Sequence, residues 1–403
     1  MKRIGTFLVL IVGFALGAAV TRYYDRHLPA PEIAKGTKPA APATPAEPTA
    51  LVRVANINFD REPLWAYGFT DAPKPGDKAQ PQAPPSSQPR PNEDLAEQTR
   101  LRQVEGSTAS YSLVQIRDLH NVVDWFPGDH SKMTEIIEHG PGAMGDKARG
   151  CGSCHLPNGR GRPENAPVGG LPIAYFIRQI EDFRHGLRYT ADPRKPNTNT
   201  MIDLAKAMTD DEVKAAAAYF SSITPPATPW VRVVESKTAP KVRYVGNLAL
   251  PATEKGVEPL NGRIIEMPED EELGDTLRSP RSGFVAYVPR GSIRRGEDLV
   301  TTGGMKIVGG KIVQGKTTAC GTCHGLNLTG VVAADVPSIA GRSPSYLARQ
   351  LWDIQQGTRN GAQAQLMKLV VANLTEEDLV AIAAYVASRP QSAPATAAPR
   401  ATN

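Results

Sequence analysis

The chain repeats itself, and this constrains its fold more than any other feature. RGCGSCH at 149–155 is matched by TACGTCH at 318–324, and AYFIRQIEDFRHGLR at 174–188 by SYLARQLWDIQQGTR at 345–359. MIDLAKAMTDDEVKAAAAYFSS at 201–222 is matched by MKLVVANLTEEDLVAIAAYVAS at 367–388. Three blocks in one order mean two copies of one domain, which we bound at 110–223 and 293–389. Each middle block reads as a helix. Pro172 and Pro344 stand at its start, Phe176, Ile177 and Ile180 match Leu347, Ala348 and Leu351 at helical spacing, and Gly186 and Gly357 suit a left-handed C-terminal cap. Each third block opens on a capping box, Thr209 with Glu212 and Thr375 with Asp378. At the start of the first copy, Leu113, Ile116, Leu119 and Val123 recur at helical spacing, and Met133 to His139 predict a second short helix ended by Gly140.

The rest of the 403 residues is of a different kind. Met1-Lys2-Arg3 precedes an apolar run from Ile4 to Val20, at the short end of what spans a bilayer, so residues 1–27 read as a signal or transmembrane anchor. We take 4–20 as an uncleaved anchor on the periplasmic side of a bacterial inner membrane. The alternative is cleavage at Gly17-Ala18-Ala19, which leaves the chain soluble in the periplasm. Residues 28–109 form a proline-rich linker, with proline clusters at 28–50 and 71–92 that favour extended polyproline II. Between the clusters, Trp65, Tyr67 and Phe69 alternate in an arm (59–69) that docks on its own chain or on a partner. Residues 224–292 carry strand-like runs at 230–235, 241–245, 263–267 and 284–288 and predict an irregular β-containing connector. The tail 390–403 reads as disordered. A net charge of +5, diluted over this length, gives no argument for nucleic acid. The acidic run Glu269–Glu272 reads as a charged turn rather than a docking patch.

The four cysteines fall as two CxxC pairs, each followed at once by a histidine. CxxCH is the attachment sequence of c-type haem: two thiols about one helical turn apart reach the two vinyl groups of one porphyrin, and the histidine comes under the iron. Cys151 and Cys154 would hold the first haem with His155 as iron ligand, and Cys320 and Cys323 the second with His324. A zinc site built from both pairs would need all four thiolates together and would leave the adjacent histidines without a role. A sixth ligand comes from the repeat: Met201 and Met367 occupy the same place, eight residues before the capping threonine. Met208 competes in the first copy but aligns with apolar Leu374. Tyr175 with Tyr346, and Arg178 with Arg349, are matched pairs that either meet haem propionates or serve packing and a solvated helix face.

With CGSCH and CGTCH, the YFIRQ and YLARQ helices, and a methionine ahead of each capped final helix, the chain resembles tandem diheme class I c-type cytochromes. The likeness covers about half its length. It implies a mainly α fold of two cytochrome c-like helical domains joined by the connector. In each domain the helix after Thr209 or Thr375 would cross one near Met133–His139 or Gly296–Val300. It also implies two covalently attached haem c groups (iron) and a carrier of single electrons rather than an enzyme. The partners would be redox proteins: a quinol-oxidising complex, a terminal oxidase or a dehydrogenase. The alternatives are a cytochrome subunit of a periplasmic dehydrogenase complex and a diheme peroxidase, the latter if His185 replaced Met201.

Overall fold

In the first repeat, short helices lead into three long ones. The computed structural model describes residues 88–391 apart from 193, 194, 227, 228 and 246. The expected anchor at 1–27, the proline-rich stretch at 28–50, the aromatic arm at 59–69, the second proline cluster up to residue 87 and the tail from 392 lie outside the described residues. No helix among the described residues is long and apolar enough to cross a membrane. In chain order come α1 (Leu95–Thr99), α2 (Leu113–Ile116), α3 (Glu135–Glu138), α4 (Cys151–His155), α5 (Ile173–Arg184), α6 (Pro196–Ala207) and α7 (Asp210–Ser222). The predicted helix through Val123 stops at Ile116. Asp118 ends it by accepting the amides of His120 and Asn121 on its own carboxylate, a turn that competes with helix. The predicted Met133–His139 helix is a single turn, with Thr134 at the N-cap position but no side-chain capping bond.

The repeated helices form as their caps dictate. Thr209 accepts the Glu212 amide while the Glu212 carboxylate accepts the Thr209 amide at 2.7 Å. Gly186 and Gly357 take φ of +70° and +77°, the left-handed conformation that ends α5 and its counterpart at little steric cost. Phe176, Ile180 and Phe183 of α5 close with Val213, Ala216, Ala217 and Phe220 of α7 over Ile136 and Ile137 of α3. The expected crossing of α7 on the segment before the first CxxCH is therefore present. Full burial of a side chain such as Phe220 stabilises the fold by roughly 1.5–3 kcal/mol.

The connector holds β1 (Val231–Ser236), β2 (Thr238–Pro240), β3 (Val242–Val245), β4 (Leu248–Pro251), β5 (Val257–Pro259), β6 (Ile265–Pro268) and β7 (Phe284–Pro289). The four strand-like runs correspond to β1, β3, β6 and β7. Strands β2, β4 and β5 were not anticipated. A three-stranded sheet has the order β1-β7-β6, with β1 parallel and β6 antiparallel to β7; β2–β5 and β3–β4 are antiparallel pairs. The acidic run is a charged turn: Glu269 pairs with Arg232 at 2.8 Å and Glu271 with Arg243. On one side the connector meets the first repeat, where Trp125 Nε1 donates to Leu277 O at 2.8 Å and Arg278 donates to Ser153 O, between the first two cysteines. On the other side Glu266, 1% exposed, accepts hydrogen bonds from Ser343 Oγ and the Ser345 amide and hydroxyl.

The second repeat comprises α8 (Ser292–Thr302), β8 (Lys306–Val308), β9 (Lys311–Val313), α9 (Gly321–His324), α10 (Pro344–Gln355), α11 (Ala364–Val371) and α12 (Glu376–Ala387). Here the crossing is closest. A Cβ at Gly296 would lie 2.0 Å from Ala381 O and 2.7 Å from Tyr385 Cβ, so only glycine lets α8 and α12 meet. The β8–β9 hairpin was not anticipated, and Ile307, Val308, Ile312 and Val313 stand exposed on it.

Candidate haem sites and the seam between the repeats

Each CxxCH occupies one short helix, α4 or α9, whose last residue is the histidine. His155 and His324 are 8% and 9% exposed. Each is held the same way: His155 Nδ1 lies 2.7 Å from Ala166 O and His324 Nδ1 2.9 Å from Pro337 O. A ring nitrogen facing a carbonyl must carry the proton, which leaves Nε2 with its lone pair for a metal. Burial pushes both imidazoles below their ordinary pKa, more than the carbonyl bonds restore, so the neutral form that coordinates iron is favoured.

The thiols are unpaired. Burial pushes Cys151 up to about 12 and Cys320 to about 11, so both are protonated at neutral pH. Cys151 and Met201 pack on the core of the first repeat, Cys320 and Met367 on that of the second. Each core thus gathers a thiol and a thioether of its own repeat, and the thiol pairs stand on separate cores rather than in one four-thiolate cluster. Met208, 6% exposed, is core like its counterpart Leu374, also 6%. His185 is exposed and its Nδ1 bonds back to Glu181 O, away from the first core. The residues fit a haem in each repeat: a buried, oriented, neutral imidazole, two adjacent thiols and a matched methionine.

Between the repeats lies a seam with approximate twofold symmetry, which the sequence reading missed. Arg188 and Arg359 pair across it as an isolated antiparallel bridge. The Tyr189 amide donates to Thr358 O at 2.9 Å and the Asn360 amide to Leu187 O at 2.7 Å. Arg359 donates to Tyr175 Oη at 2.6 Å and Gln179 Oε1 at 2.8 Å, while Arg188 reaches Gln179 Oε1 at 3.0 Å and Gln350 Oε1 at 2.8 Å, beside Tyr346. Burial pushes the Tyr175 phenol up, but the Arg359 and Arg188 guanidiniums outweigh it and hold it below its ordinary value. Arg178 reaches Asp335 of the other repeat at 3.2 Å, and Arg349 reaches Pro163 O at 2.6 Å. The matched tyrosines and arginines singled out in the sequence therefore join the two halves. Arg188 and Arg359, the last identical residues of the second repeated block, carried the missed signal.

The cytochrome c family model matches residues 137–224 and 309–390. Cytochrome c4 of Pseudomonas aeruginosa is 24% identical over 252 residues, covering 60% of this chain and 89% of that protein. A thiosulfate dehydrogenase electron acceptor of Thiomonas intermedia is 24% identical over 248 residues, covering 61% and 81%. Cytochrome c-554(548) of Halomonas halodenitrificans is 35% identical over 74 residues, 18% of this chain and 88% of that one. Among solved structures, thiosulfate dehydrogenase (TsdBA) from Marichromatium purpuratum is similar at 25% identity with a TM-score of 0.40; the match takes in 64% of this chain but only 40% of that one. With the motif, the paired sites and these relatives in agreement, the chain belongs to the cytochrome c family, as a tandem of two class I domains.

Proposed function

We infer that this protein relays single electrons between redox proteins through two covalently attached haem c groups, one in each repeat. The observation that carries the reading is the donor set built twice, a buried histidine fixed through Nδ1 to a carbonyl beside a CxxC pair on one core. In our assignment Cys151 and Cys154 hold the first haem with His155 and Met201 as iron ligands; Cys320 and Cys323 hold the second with His324 and Met367. When bound, such a haem supplies an iron couple that exchanges one electron with little ligand movement, and a thioether ligand raises its potential relative to a second imidazole.

The chain's own residues do the positioning. Ala166 O and Pro337 O fix the imidazole planes and raise the basicity of Nε2. The packed faces of α5 with α7 and of α10 with α12 shield each site, leaving His155 and His324 only 8% and 9% exposed. We place the work outside the cytoplasm, with residues 4–20 as anchor or export signal. The similarity to a thiosulfate dehydrogenase electron acceptor favours a second reading, a cytochrome subunit working with a dehydrogenase.

The test is the exported protein itself. Two haems per chain that survive acid-acetone extraction, a sulfur-to-iron charge-transfer band of two equivalents in the oxidised form, and no carbon monoxide binding in the reduced form are expected. An unmodified polypeptide by mass spectrometry refutes the assignment, and prompt peroxide turnover refutes the carrier reading.

A further inference from the structure

Away from both CxxCH helices, a cavity of about 540 Å³ opens between the loop after His155, the segment after Ile223 and the approach to α10. Among the described residues its charged lining is three arginines, Arg160, Arg281 and Arg342, and a single carboxylate, Asp129. That carboxylate is committed: Arg281 Nε and Nη2 donate to its two oxygens at 2.9 and 2.6 Å. Among the described residues Arg342, 4% exposed, donates hydrogen bonds to the carbonyls of Pro167 and Ser338, and the phenols of Tyr346 and Tyr175 lie near it. Arg160 forms no ion pair among the described residues, and its guanidinium has only a long 3.5 Å contact to Pro280 O. Burial pulls both Arg160 and Arg342 below their ordinary pKa, and Asp129 offsets this only in part at Arg160. Trp230 lines the same cavity at 6% exposure, and its Nε1 is buried without a hydrogen-bond partner.

The charged lining of the cavity is therefore net positive, three guanidiniums against one carboxylate. Buried donors without acceptors are costly, and guanidinium forks match tetrahedral oxyanions better than they match water. We propose that this cavity binds a small, multiply charged oxyanion of phosphate or sulfate size, with Arg160 and Arg342 as donors and water filling the remaining space. The site is distinct from the haem sites, and its test does not depend on electron transfer.

Isothermal titration of the full haem-loaded chain with sodium phosphate and with sodium sulfate, against sodium chloride at equal ionic strength, reads the proposal directly. The expected result is saturable binding of one oxyanion per chain with a matching rise in Tm, weakened about tenfold by Arg160→Gln. Arg160→Lys, which keeps the charge and removes the planar fork, weakens binding severalfold and decides the matter if Arg160→Gln does not fold. Heats and melting shifts that superpose on those of chloride, or an Arg160→Gln protein that folds and binds as tightly as the parent, overturn it.

Discussion

Asp378 ties together the half of the molecule that carries the second CxxCH, and its removal has a computable, pH-dependent consequence. Its side chain is 1% exposed. Arg295 of α8 donates to Oδ1 at 2.7 and 3.0 Å, while Lys316, from the loop that leads into Cys320, donates to Oδ2 at 2.9 Å and the Thr375 amide at 3.0 Å. Burial pushes the carboxyl up, but the Thr375 amide, Lys316 and Arg295 overcome this and hold it at about 2 against an ordinary 3.8. A folded pKa below the unfolded one means stability that is fully present above the unfolded value and lost as pH falls toward the folded one. At roughly 1.36 kcal/mol per pH unit, the carboxylate contributes about 2 kcal/mol at neutral pH and about half that near pH 3. Asp378→Asn keeps an acceptor for the Thr375 amide and removes the charge. Urea unfolding followed by far-UV circular dichroism at constant ionic strength should therefore show a gap of about 2 kcal/mol between parent and variant near pH 7, narrowing by about 1 kcal/mol near pH 3. A gap that stays constant across that range would falsify the account, because the loss would then come from packing rather than charge.

Other outcomes follow from the same geometry. Arg359→Gln deprives Tyr175 Oη of its donor, so it should cost about 2 kcal/mol and move one phenol titration upward toward its ordinary value in an ultraviolet pH titration. Gly296→Val sets a side chain against Ala381 O and should abolish the cooperative unfolding transition of the second repeat, whereas Gly128→Ala, with open space around it, should leave that transition unchanged. Met201→Ala should let one equivalent of carbon monoxide bind the reduced protein while Met208→Leu binds none; the reverse pattern would make Met208 the ligand. Met367→His should lower one of two midpoint potentials in spectroelectrochemistry and leave the other in place.

What the sequence made legible was local or repeated. The caps at Thr209 and Thr375 need only residues three apart, and the crossings of α7 on α3 and of α12 on α8 were implied by the family resemblance. Met208 was set aside because Leu374 stands in its place, and both are core. What escaped was long-range. The parallel pairing of β1 with β7 joins residues about fifty apart, and nothing in VRVVES names FVAYVP as its partner. The β8–β9 hairpin escaped for another reason: its apolar side chains face solvent, so no buried face imposes the alternation that marks a strand. The helix around Leu119 and Val123 was overcalled because apolar spacing outweighed the turn chemistry of Asp118.

The near-diad at Arg188 and Arg359 makes this single polypeptide behave, along that line, like a homodimer whose protomers are tethered. Each position there faces its own counterpart, so one codon change perturbs both sides at once: replacing Arg188 disturbs Gln179 of its own half and Gln350 of the opposite one. Divergence between the two redox centres is therefore easiest at positions far from the diad, such as the connector's Arg278, which donates to Ser153 O beside the first CxxCH, or Glu266, which accepts from Ser343 and Ser345 of the second repeat.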